Sequence, residues 1–275
     1  MSRYRDSDDP SVSVDAHPPM VIARLVETVG VAKADMPVLK TITLGILAGV
    51  FIAFGGLLYT VVLTGSELGH GPTRLLAGMA FSLGLILVLV GGAELFTGNS
   101  LIVMAWADHK VTSARLLRNW GLVYLGNLIG AVATAVLVAG SGVLDSANGT
   151  VAETAGQIAT GKLALDPLES LIRAVLCNVL VCLAVWLCFA ARSVTDKILA
   201  IIPPITAFVA MGFEHSVANM YLIPVAFLVG VTPTDPAGFA MNLVVVSLGN
   251  AFGGGVLVAG VYWLVYLRQD SASPE

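Results

Sequence analysis

Glu214 and His215 stand in the middle of one of the most apolar stretches of this 275-residue chain. The segment Gly212-Phe213-Glu214-His215-Ser216-Val217-Ala218-Asn219 gathers a carboxylate, an imidazole, a hydroxyl and an amide, while residues 198–211 and 220–231 beside it hold no charged residue. Ionisable groups in such surroundings are costly, so they face a cavity and mark a path for a solute or a proton. The chemistry open to them is hydrogen bonding to a small solute and proton exchange, and histidine suits the second because its charge changes near physiological pH. An earlier segment, Gly92-Ala93-Glu94-Leu95-Phe96-Thr97-Gly98-Asn99, repeats Gly, Glu and Asn at identical spacing. Each copy is followed by Gly-Asn-x-x-Gly, at residues 126–130 and 249–253, so the copies are offset by about 120 and 123 residues. Glu94 and Glu214 are equivalent by position, as are Asn99 and Asn219. Their symmetric placement favours structural roles, the carboxylates tying down exposed backbone and the asparagines capping interrupted helices.

Composition fixes the class. Hydrophobic residues make up 57% of the chain and charged ones 12%, and the mean hydropathy is +0.88, which describes an all-α polytopic membrane protein. A net charge of −4 gives no support for nucleic-acid binding. Cys177, Cys182 and Cys188 lie in one apolar segment at spacings that suit neither a disulfide framework nor a metal site. His-Glu-x-x-His, Ser/His/Asp, dinucleotide and P-loop patterns are missing, so the sequence points to no enzyme, no metal and no cofactor.

The elements that must position these groups are spanning helices. About 20 apolar residues cross a bilayer, and six crossings fit: residues 39–63, 75–107, 116–139, 171–190, 198–231 and 239–267. The second and fifth are discontinuous at the two motifs, and Pro203, Pro204 and Pro224 are further expected interruptions of the fifth. Residues 1–17 are expected to form a disordered cytoplasmic tail, 18–36 an N-terminal interfacial helix with an apolar stripe at Val21, Leu25, Val29 and Ala32, 37–268 the six-helix domain, and 269–275 a C-terminal cytoplasmic tail. Residues 1–17 have no signal-peptide core, so the first spanning helix is expected to direct insertion. Residues 140–165 read as a long outer loop. Eleven Lys and Arg flank the inside ends of the spans if the N-terminus is cytoplasmic, against Arg74, Lys162 and Arg173 outside. Three spans per half require an inverted 3+3 repeat, a recurrent transporter and channel architecture in which broken helices line a buried or watery path.

Taken together, Phe81 to Leu85, Gly92 to Thr97, Gly126-Asn127, Cys177 to Trp186 and Phe208 to Tyr221 resemble the formate/nitrite transporter family, in order, over about residues 20–268. The resemblance implies a homopentamer in a bacterial or archaeal cytoplasmic (inner) membrane, each protomer an aquaporin-like six-helix unit of 3+3 inverted repeat carrying its own pore for formate, nitrite or a similar small weak-acid anion. Hydrosulfide or acetate/lactate transport by the same fold is an alternative. A neutral-solute, aquaporin-like channel is another, although neither half holds Asn-Pro-Ala. By the same resemblance His215 is the pore histidine, Thr97 the hydroxyl facing it, Asn178 a polar group from the fourth span and Lys162 an anion-attracting lysine in the outer vestibule. Phe81, Leu85, Leu95, Phe96 and Phe208 form constrictions, each of unassigned side. Protons are expected to move with the anion. Either His215 titrates, or it stays neutral as a hydrogen-bond donor.

Overall fold

The computed structural model describes residues 16–268, whose regular elements are all helical. Of the expected tails, residues 1–15 and 269–275 lie outside the described residues. α1 (Pro19–Ala34) starts with a proline at its first position, where the missing N–H has no partner to lose. α2 (Val38–Leu63) and α3 (His70–Gly91) follow, then a 3₁₀ turn (Gly98–Ile102) running into α4 (Val103–Ala107) and the long α5 (Ser113–Gly140). α6 (Thr150–Leu163) and α7 (Pro167–Ala190) precede α8 (Val194–Ala210) and α9 (Ser216–Leu228). α10 (Pro236–Phe252) continues through a π-helical stretch (Gly253–Gly260) into α11 (Val261–Tyr266).

Short polar residues cap the starts of α5, α7, α8 and α10. Asp166 Oδ1 accepts the Leu168 N–H at 2.8 Å ahead of Pro167, and Ser193 with Asp196 forms a reciprocal capping box on α8. Among the described residues five helices are long and apolar enough to cross a membrane: α2, α3, α5, α7 and the continuous Pro236–Tyr266 stretch; Gly98–Ala107 and Ser216–Leu228 are shorter and apolar. The chain breaks where glycine permits a left-handed backbone, at Gly92 (φ 84°) and Gly212 (φ 72°). It does not break at proline. Pro203 and Pro204 sit inside α8 and Pro224 inside α9, contrary to the expectation that they interrupt the span; packed apolar helices accommodate prolines because local adjustment and neighbours re-satisfy the freed carbonyls.

Glycine stripes bring the backbones into contact. Gly45 and Gly49 of α2 face Gly126 and Gly130 of α5; a Cβ on Gly126 would lie 2.8 Å from the Ile42 carbonyl oxygen. In the second half Gly249 of α10 meets Ala174 and Leu171 of α7 in the same manner. α3 and α8 close on each other where Gly78 lies against Thr206.

One further expectation is corrected. The 140–165 stretch holds α6, whose last turn carries Lys162. On α1 the face packed into the protein is Ile22, Ala23, Val26, Glu27, Gly30 and Ala34, while Val21, Leu25 and Ala32 are exposed. Helical periodicity locates an apolar stripe but not its partner; here the small residues Ala23 and Gly30 let α1 approach the bundle, and Gly30 lies against Ala105.

A candidate pore site between two helix breaks

The interrupted stretches meet side by side. His215 Nε2 lies 3.0 Å from Thr97 Oγ1, and both residues are buried. His215 also caps α9, its Nδ1 accepting the Ala218 N–H at 3.1 Å. A ring nitrogen that accepts cannot carry a proton, so that bond assigns the proton to Nε2, which donates to the Thr97 hydroxyl. The Thr97 O–H is then free to donate onward.

Two asparagines replace the missing peptide partners. Asn127 Oδ1 accepts the Phe96 N–H at 2.9 Å, while its Nδ2 donates to the carbonyls of Gly45 and Glu94 at 2.8 and 2.9 Å. Asn250 does the same in the second half, accepting the Ser216 N–H at 2.9 Å and donating to Ala174 and Glu214 carbonyls at 2.8 and 3.0 Å. Buried backbone groups outside regular structure must find such partners.

The glutamates hold side chains rather than backbone, which corrects the expected role. Lys33 Nζ donates to Glu94 Oε1 at 2.6 Å, Asn99 Nδ2 to Glu94 Oε2 at 2.7 Å and to Asn119 Oδ1 at 2.9 Å, and Asn119 Nδ2 returns to the Lys33 carbonyl at 2.9 Å. The second half repeats this ring. Lys162 Nζ lies 2.9 and 3.1 Å from the Glu214 oxygens, Asn219 Nδ2 donates to Glu214 Oε2 at 2.7 Å and to Asn242 Oδ1 at 2.8 Å, and Asn242 Nδ2 reaches the Lys162 carbonyl at 3.4 Å. α1 and α6 thus hold equivalent places, each bringing one lysine to one broken helix.

Two cavities flank the Thr97–His215 contact and share no lining residue. One, of about 380 Å³, is lined by Lys33, Lys40, Leu85, Glu94, Leu95 and Lys197 among others. The other, of about 640 Å³, is lined by Tyr59, Arg74, Phe81, Lys162, Arg173, Phe208 and His215 among others. Phe81 and Phe208 meet edge to face with centroids 5.8 Å apart, and the Phe208 ring stacks on His215 at 5.9 Å. Leu85 and Leu95 therefore belong to the Lys33 side, and Phe81 and Phe208 to the Lys162 side. Phe96 lines neither cavity; its ring packs on Trp120 and Tyr124. Asn178 is fully buried behind Thr97, its Nδ2 contacting the carbonyls of Asn250 (2.6 Å) and Thr97 (3.2 Å) and Ser100 Oγ (3.1 Å), and it too lines neither cavity.

Sequence reading missed Lys33, Asn119 and Asn242. A signal for them existed: Asn119 and Asn242 are offset by the same 123 residues as Asn127 and Asn250.

Comparison with known proteins agrees with this geometry. The profile of the family described as "Formate/nitrite transporter" matches residues 20–264. The chain is 39% identical over 271 residues to "Formate channel FocA" of Escherichia coli (strain K12), covering 92% of this chain and 95% of that protein. It is 42% identical over 269 residues to "Probable formate transporter" of Methanothermobacter thermautotrophicus, covering 91% and 97%. Its fold is similar to a solved "Pentameric formate channel with formate bound", with a TM-score of 0.76 at 40% identity over 84% of this chain and 98% of that one, and to an "FNT family ion channel", with a TM-score of 0.79 at 28% identity over 89% and 98%. On the extent of the profile match and these identities, the chain belongs to the formate/nitrite transporter family.

Proposed function

We propose that this protein carries formate, and more broadly small monovalent weak-acid anions such as nitrite, across a bacterial or archaeal cytoplasmic membrane through a pore in each protomer of a pentamer. The observation that carries this reading is the Thr97–His215 contact at 3.0 Å, where two helix breaks place a donating imidazole and a free hydroxyl between two cation-lined cavities. Relatives named as formate channels support the substrate, and the solved pentamer supports the assembly. Six crossings follow if α3 with α4, and α8 with α9, each cross as one interrupted span. The paired lysine–glutamate–asparagine rings support an inverted repeat. The Lys and Arg distribution supports cytoplasmic termini, which makes the Lys33 cavity inner and the Lys162 cavity outer.

An anion passing the Phe81–Phe208 pair would lose its hydration, at a cost on the order of tens of kcal/mol by Born estimates, whereas a neutral acid loses far less. The pore therefore passes the anion with a proton. His215 is the hydrogen-bond donor and stays neutral, because an imidazolium would carry a proton on Nδ1 and lose the bond that caps α9. The proton is drawn from water in the vestibule. Flux of formate, nitrite, hydrosulfide and lactate into proteoliposomes, with and without an inward proton gradient, tests both levels, with His215→Asn alongside. The parent protein is expected to favour formate or nitrite and to be accelerated by the gradient. His215→Asn is expected to be slower but still accelerated. Loss of that acceleration would make His215 a titrating carrier, and glycerol or ammonia flux in place of the anions would sink the transport reading.

A further inference from the structure

Three cations line the outer cavity, and their charges are not equally available. Lys162 is spent on Glu214, which it meets through both carboxylate oxygens, and Arg173 is paired with Glu169. The partners of Arg74 are uncharged: Nη1 donates to the Tyr59 hydroxyl oxygen at 2.9 Å and Nε reaches the Ala210 carbonyl at 3.4 Å. Among the described residues, Arg74 is thus the lining cation with no carboxylate against it. Among the described residues its Nη2 makes no hydrogen bond, and a Cβ on Gly212 would stand 3.1 Å from it and 3.6 Å from Arg173 Nη1, a space that the bare glycine leaves unfilled. The Tyr59 hydroxyl, which accepts from Arg74, keeps its own proton to donate. The Tyr59 ring in turn meets Phe81 edge to face at 6.3 Å, and Phe81 leads through Phe208 to His215.

We infer that Arg74 and Tyr59 form the outer capture site for the carboxylate anion, holding it between the open guanidinium N–H and the phenol O–H before it enters the aromatic constriction. Planar guanidinium donors match a carboxylate's geometry, and the net positive charge at this mouth resides on Arg74 rather than on Lys162. The inference deepens the transport reading and rests on it.

The experiment is initial formate uptake by proteoliposomes against formate concentration, at low ionic strength and at about 0.5 M inert salt, for the parent protein, Arg74→Gln, Arg74→Lys and Tyr59→Phe. Salt at that level screens a half-exposed charge beyond a few ångströms. In Arg74→Gln the half-saturating concentration is expected to rise roughly three- to tenfold at low salt, more than the maximal rate falls, and most of the parent's salt dependence disappears. Arg74→Lys restores the salt dependence, and Tyr59→Phe raises half-saturation about twofold with it intact. Glu169→Gln, which frees the charge of Arg173, is expected to lower half-saturation. Formate uptake by the parent with unchanged half-saturation and salt dependence in Arg74→Gln overturns the capture site and leaves the transport reading standing. If Arg74→Gln does not assemble, an unchanged Tyr59→Phe overturns it. Absence of formate uptake by the parent would fault the transport reading instead.

Discussion

Replacing Lys162 by methionine removes one charge from a pair whose other member, Glu214, is paired with no other cation among the described residues. Glu214 is 3% exposed, and besides Lys162 its carboxylate has, among the described residues, only the Asn219 amide, at 2.7 Å. Opposite charges 2.9 Å apart attract by about 6 kcal/mol at an effective dielectric constant of 20. Most of that only offsets the desolvation of the two groups, so the intact pair adds little net stability. Deleting one partner leaves the other charge buried and unmatched, which costs about 3–5 kcal/mol. Lys162→Met should therefore destabilise the assembly by about that amount, and Lys162→Met with Glu214→Gln should recover at least about 2 kcal/mol, because the unmatched charge is gone. The equivalent Lys33→Met should cost less, about 2–3 kcal/mol, since the Lys33 side chain is 27% exposed against 15% for Lys162 and water can reach Glu94 in its place. Denaturant-induced unfolding of the detergent-solubilised protein gives the four free energies. A Lys162→Met within about 1 kcal/mol of the parent, or a double variant no better than Lys162→Met, would refute the buried-pair reasoning; a larger loss in Lys33→Met would refute the ordering.

Two further outcomes concern packing and pH. Gly130→Ala would push a methyl into the Ile46 carbonyl and part α2 from α5, loosening the Asn127 grip on the first helix break; a loss of about 1–3 kcal/mol or more is expected in the same unfolding assay. Gly121→Ala, on the same helix where a Cβ meets nothing within 4 Å, should be neutral or stabilising by about 0.5–1 kcal/mol. Glu27 of α1, outside the spans, is raised above the usual glutamate value of 4.5, chiefly by burial and against the opposing pull of Lys110 at 2.6 Å. A carboxyl raised in the docked state binds its proton more tightly there, so its contribution to α1 docking is complete below pH 4.5 and fades as pH rises through the raised value. Asp108, despite desolvation, is held below 3.8 by bonds to Glu27, Lys110 and Trp263, so its contribution fades only under stronger acid. Hydrogen exchange of α1 amides, corrected for intrinsic rates, should therefore slow on acidification towards pH 4.5. Glu27→Gln should abolish that trend, and an identical trend in both proteins would contradict it.

The sequence by itself determined a polytopic helical protein, because apolar length and a scarcity of charge are properties of the chain read in one dimension. It also determined the two break points, since Gly92 and Gly212 are the residues that can turn left-handed without strain beside a buried carboxylate. The pairing of Thr97 with His215 entered through resemblance to a known family, not through spacing, as 118 residues separate them and only folding sets them 3.0 Å apart. The prolines misled because their effect depends on neighbours that re-satisfy carbonyls, and the face by which α1 meets the bundle was set by packing. Tertiary structure alone decided which partner each buried polar side chain finds. Glu94 and Glu214 look like proton carriers or backbone ties until Lys33 and Lys162 arrive from separate helices. Asn127 and Asn250 do bridge helices, through the Gly45 and Ala174 carbonyls, and only the packed structure shows that they also stand in for missing peptide groups. Partner choice for a buried polar group is fixed by distance and geometry, and those exist only once the helices have packed.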